Sequence, residues 1–151
     1  MRHLAPVAAV PQAPAPLRSL ATSARGTLSV VASPDAPKAI GPYSQGIKAN
    51  GFVFVSGCLG INPKSGDITG DVVAQTKQAM ENMRAVLTAG DSSFGQVVKT
   101  TILLADIKDF PKVNEAYAAY FPSNPPARAT FAVKDLPKGG LVEIEAVAVH
   151  N

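Results

Sequence analysis

The stretch LVEIEAVAV, residues 141–149, carries the reading on which the fold turns. It alternates as a strand does, with Leu141, Glu143, Glu145, Val147 and Val149 on one face. Val142, Ile144, Ala146 and Ala148 take the other. Two faces that are apolar but for a pair of carboxylates imply a sheet covered on both sides.

Upstream, across the loop KDLPKGG, the segment ARATFAV (127–133) is a second strand, directly after Pro125 and Pro126. VVKTTILLAD (97–106) is a third, rich in β-branched residues. YSQGIKANGFVFVSG (43–57) holds two more, joined at Asn50-Gly51, a dipeptide that accepts the positive φ angles of a tight hairpin. Between Asp71 and Ala89 the residues Val72, Val73, Thr76, Met80, Met83, Val86 and Leu87 form one helical stripe. Asp71 suits its N-terminus and Gly90 its stop. Asp109 is placed to cap a second helix, with Phe110, Val113, Tyr117, Tyr120 and Phe121 facing inward.

The order is therefore β-β-α-β-α-β-β, an α+β fold whose two helices can cover only one face of the sheet. Ala129, Phe131 and Val133 are expected under the helices, with Arg128, Thr130 and Ala132 on the opposite face. Self-association is the simplest cover for that second face, the alternative being a monomer with a partly apolar sheet.

The 151 residues suffice for one domain with a hydrophobic core; 46% are apolar and 17% charged. No apolar run approaches the roughly 20 residues needed to cross a bilayer. Residues 1–33 are rich in Ala, Pro, Ser and Arg and contain no acid, a composition that suits an organelle transit peptide. Prolines at 6, 11, 14 and 16 interrupt any long amphipathic helix there and favour a plastid over a mitochondrion; a tail without an address is the alternative. The domain is expected over residues 34–151. The formal charge of +3 belongs to Arg2, Arg18 and Arg25, because the eleven basic and eleven acidic residues from Pro34 onward cancel. The domain thus lacks the net positive charge with which to collect phosphates, and nucleic acid is not an expected partner.

Cys58 is the only cysteine, and the histidines are His3 and His150, at the two ends. Serine or cysteine nucleophiles paired with a core histidine are thereby removed, as are zinc sites built from cysteine pairs. No phosphate loop or dinucleotide fingerprint occurs, so neither a metal nor a cofactor is implied. Arg128 is suited to take a carboxylate through two parallel hydrogen bonds, or else to pair with Glu143, Glu145 or a neighbouring subunit's acid. Glu143 reads as a base made more basic by apolar surroundings, or as an ordinary charge on the wetter face. Tyr43, between the glycines of GPYSQG, is an aromatic wall for a small substrate or a core tyrosine beside a turn. Ser56 and Cys58 lack a base, although main-chain groups at Gly57 could bind a carboxylate.

Together, AIGPYSQGI (39–47), VFVSGCLGINPKSGDI (53–68), VVKTTILLADIKDFPKVNEAYAAYF (97–121), PPAR (125–128) and LPKGGLVEIEAVAV (136–149) resemble the reactive intermediate deaminase A family, also called RidA or YjgF. The likeness runs from about Ser33 to the C-terminus, and the N-terminal extension is similar to that of plant and algal plastid members. The resemblance implies a chorismate-mutase-like sheet in a homotrimer, with active sites between subunits. It implies hydrolysis of 2-imino acids or their enamines, such as 2-iminobutanoate and 2-iminopropanoate, to 2-oxo acids and ammonia. Pyridoxal-phosphate enzymes are thereby protected, and the deaminase needs no cofactor of its own. By the same resemblance Arg128 pairs with the substrate carboxylate, Glu143 orients or activates water, and Tyr43 lines the cleft. Ser56, Gly57 and Asn114 lie near the ligand. Many bacterial relatives carry Ser-Cys after the arginine where this chain has Ala129-Thr130, so Thr130 replaces the cysteine if that residue acts through its backbone. Two other functions compete: an endoribonuclease or translation inhibitor, and a non-catalytic small-molecule-binding trimer.

Overall fold

A computed structural model describes residues 27–150. Residues 1–26, which hold most of the expected targeting arm, lie outside the described residues. The elements are β1 (Ser29–Val31), β2 (Gly46–Ala49), β3 (Phe52–Leu59), α1 (Val72–Ala89), β4 (Val97–Leu104), α2 (Phe110–Ala118), β5 (Ala127–Ala132) and β6 (Val142–Val149). The strands form one six-stranded mixed sheet in the order β1-β2-β3-β6-β4-β5. β4 and β5, which α2 connects, run parallel, and the other neighbours are antiparallel.

Local chemistry explains most of these limits. Asn50 and Gly51 both take positive φ (51° and 81°), so Ala49 pairs directly with Phe52 across a two-residue turn. Asp71 caps α1 by accepting from the Ala74 N–H at 2.9 Å, and Gly90 ends the helix. The expected stripe, with Val73 only partly buried, is driven against β3 and β6; Met80, Met83, Val86 and Leu87 are buried among Val53, Ile102 and Ile144. α2 lies beside α1 on the same face, where the hydroxyls of Tyr117 and Thr100 of β4 are 2.8 Å apart.

Three expectations need correction. The chain enters the sheet before Pro34, because Ser29–Val31 pair with Lys48–Gly46; a strand of three residues is too short to show alternation. The side chain of Asp109 makes no capping bond. Asp106 instead accepts from Lys108 N–H at 2.9 Å and starts a 3-10 turn that leads into α2, and Phe110 at the turn's end is exposed.

The third correction reverses the faces of β5. Thr100 pairs with Arg128 and Ile102 with Thr130, and paired residues point to the same side. Thr100 and Ile102 are buried under the helices, so Arg128 and Thr130 are on the helix side. Phe131, opposite, is 49% exposed on the helix-free face. Alternation shows which residues share a face, but at an edge strand hydropathy does not show which face the helices take.

On β6 the helix face is Val142, Ile144, Ala146 and Ala148, all buried, and Glu143 and Glu145 point to the helix-free face. One end of that face is covered by the chain itself: Leu59, Ile61 and Leu136 form a small second core with Ile68, Leu103 and Val133. The remainder exposes Phe52, Phe54, Phe131 and Val149.

Candidate active site

The candidate residues form two half-sites, one against α2 on the helix face of the sheet and one at a bulge in β3, over which Glu143 reaches from the helix-free face. The first lies where β5 emerges from Pro125 and Pro126 beside α2, in a cleft lined by Asn114, Tyr117, Phe121 and Arg128. Arg128 donates from Nη2 to Asn114 Oδ1 at 2.8 Å. Its guanidinium carbon stands 5.0 Å from the centre of the Tyr117 ring and 5.7 Å from that of Phe110. None of the ion pairs among the described residues involves Arg128. A guanidinium stacked on two rings and steadied by one neutral amide keeps its charge and most of its donors for an anion. Thr130, two residues along the same face, has a buried hydroxyl with no hydrogen-bond partner among the described residues.

The second half-site lies where β3 leaves its register with β6. Val55 pairs with Ala146 but Cys58 with Ile144, so Ser56 and Gly57 form a bulge. The Glu143 carboxylate occupies the space above Gly57: a Cβ there would overlap Oε1 outright and lie 2.7 Å from Cδ. Only glycine leaves room for this carboxylate. The Glu143 carboxylate accepts no hydrogen bond from the described residues. Burial beside the Leu59 and Leu103 cluster, and then the charge of Glu145, raise its pKa above the ordinary carboxylate value. Cys58 is pushed up to about 12, first by burial and then by Glu143, so it stays a thiol and makes no nucleophile.

A loop completes this side. Tyr43, Ser56, Gly57 and Cys58 line one cavity with Lys38 and Gln45. Ser56 Oγ donates to Ser44 O at 2.6 Å, so its proton is held by a main-chain carbonyl that cannot act as a base. Tyr43 is 48% exposed at the cavity's mouth, with its hydroxyl accepting from Ile40 N–H at 3.3 Å.

Two supporting residues escaped the sequence reading. Gln45 accepts from Ser33 N–H at 2.6 Å and donates to Pro37 O at 2.7 Å, which closes the 33–45 loop over the cavity. Asn82 donates to Leu59 O at 2.9 Å and Ile61 O at 2.8 Å, fixing the chain just beyond the bulge. Only Asn82 stands on an apolar stripe, and that was the available signal: a buried amide must be bonded to something.

Tyr43, Ser56 and Gly57 are therefore brought together around one cavity, and Glu143 reaches Gly57 from the other face without lining it. Arg128 and Asn114 meet, with Thr130 two residues along the same face. The two groups do not meet within one chain.

Residues 33–150 match the family model described as Endoribonuclease L-PSP. The chain belongs to this family. Human 2-iminobutanoate/2-iminopropanoate deaminase is 50% identical over 81% of this chain and 90% of its own length. The Arabidopsis thaliana protein named Reactive Intermediate Deaminase A, chloroplastic, is 48% identical over 88% of this chain and 72% of its own. Among solved structures, one named as a putative endoribonuclease L-PSP from Entamoeba histolytica is 52% identical, with a TM-score of 0.79 over 82% of this chain and 99% of that one. The RidA resemblance read from GPYSQG and PPAR is thus matched by named relatives over the described domain.

Proposed function

We propose that this chain is a 2-iminobutanoate/2-iminopropanoate deaminase, working as a homotrimer with its sites between subunits. The observation that carries the reading is a guanidinium that pairs with no acid among the described residues and a carboxylate made more basic, held on opposite faces of one sheet. A cleft between two subunits unites them, with Arg128, Asn114 and Thr130 from one chain and Glu143, Tyr43, Ser56 and Gly57 from its neighbour. The exposed Phe52, Phe54 and Val149 give the helix-free face an apolar surface for that association.

In this cleft Arg128 takes the substrate carboxylate through its unused donors, which sets the imine carbon against the bulge at Gly57. Glu143 accepts a proton from water as that water adds to the protonated imine. The carbinolamine formed takes that proton back from Glu143 on nitrogen, and ammonia leaves as the hydroxyl proton passes to the carboxylate, which gives the 2-oxo acid. Water supplies the oxygen, the C–N bond breaks, and no electrons are exchanged with a third party. A protonated imine is already electrophilic, so orientation and one base suffice. Removing such species would protect pyridoxal-phosphate enzymes, and the N-terminal composition together with the chloroplastic relative supports action in a plastid. The experiment is a coupled assay in which a dehydratase generates the imine and ammonia release is followed. Arg128→Ala is expected to abolish the acceleration with the fold retained; an unchanged rate would end the assignment.

A further inference from the structure

The motif VEIEA carries two glutamates, and the chemistry above uses one of them. β6 alternation places Glu143 and Glu145 on the same helix-free face, Glu143 beside Leu103 and Glu145 beside Thr101 of β4. On the β3 side the bulge lies between the Val55–Ala146 and Cys58–Ile144 pairs, so the residue facing it from β6 is Glu145. The Glu143 side chain reaches across to Gly57 in that same bulge. The two glutamates therefore stand next to one another on one face of β6, opposite the same short stretch of β3, where like charges repel.

The remaining charges near Glu143 are few. From β3 it faces Leu59 and from β4 Leu103, both uncharged, and the Cys58 thiol that feels its charge is neutral. Lys38 and Tyr43 line the cavity on the other side of Gly57, which Glu143 does not enter. Lys99 shares a surface hollow with Glu145 and Thr101, but no ion pair among the described residues neutralises either glutamate.

We propose that Glu145 is a positioning residue of this site, whose negative charge keeps the neighbouring Glu143 carboxylate a stronger proton acceptor. The proposal rests on the reading of Glu143 as the group that activates water. Glu145 touches no substrate; it acts through Glu143, which it makes reluctant to stay ionised and ready to take a proton from water.

The test uses the full chain with carbon-13 in its glutamate carboxyl groups, the Glu143 signal being assigned from its loss in Glu143→Gln. In Glu145→Gln the Glu143 titration is expected to move to lower pH, and the acidic limb of the deaminase rate to move with it. Glu145→Asp, which restores the charge, is expected to return both towards the starting values. A merely structural role would lower the rate without moving either midpoint. An unmoved Glu143 titration in Glu145→Gln, or an equal shift in Glu145→Asp, would overturn the proposal. Absence of deaminase activity in the unmodified protein would instead sink the functional reading, and the carboxyl titration would still decide the coupling.

Discussion

Arg128 and Glu143 are both ionised side chains in a largely apolar domain, and their surroundings treat them oppositely. Arg128 is stabilised as a cation by Asn114 and two aromatic faces. Glu143 is opposed as an anion by burial and by Glu145. This second fact has a consequence for stability, because a carboxyl whose pKa is raised by folding makes the folded state bind the proton more tightly than the unfolded chain does. The penalty is absent below the ordinary carboxylate range, where both states are protonated. It grows as the pH rises through that range and is complete above the raised value. Glu143→Gln is therefore expected to raise the melting temperature at neutral pH, and the gain should vanish on acidification. Melting curves across that range check it; a gain that grows as the pH falls would show that the anion is stabilised in the fold. The identity of both residues was legible in PPAR and VEIEA. Their electrostatic environments were not, since these depend on residues such as Asn114, Tyr117 and Gly57 that are remote in sequence.

Among the elements, α1 was the most readable, because its stripe, its Asp71 cap and its Gly90 stop are all local signals. The hairpin at Asn50-Gly51 was equally plain. β1 was hidden by its three-residue length, and the entry to α2 was misassigned because Asp106 and Asp109 are both plausible caps three residues apart. The tie between α1 and the exit of β3 had only one sign, an amide at Asn82 on the buried stripe, and that sign does not name the carbonyls it holds. Asn82→Ala is expected to leave the Leu59 and Ile61 carbonyls unsatisfied and to cost about 2 kcal/mol or more. Chemical denaturation measures that loss. A cost near zero would mean that other donors replace the amide.

For the molecule as a whole, the division of the site across the sheet makes a distinctive prediction. Arg128→Ala and Glu143→Gln are each expected to be inactive alone. Unfolded together in equal amounts and refolded, they should regain about a quarter of the normal activity, because a random pairing of neighbours brings an intact arginine to an intact glutamate in about one site in four. Activity assays on the mixed and separately refolded samples make the comparison. If both residues served one site within a single chain, mixing would restore nothing.

Residue order alone carried what is local or periodic: the element sequence from the hairpin to β6, the α1 boundaries, and the candidate residues with their chemical types. These follow from backbone preferences and side-chain spacing, which act over a few residues. The face of the sheet that receives the helices, and with it the side on which Arg128 stands, emerged only when β5 paired with β4 beneath α2. That choice depends on the register between strands distant in sequence, which no single stretch of the chain encodes.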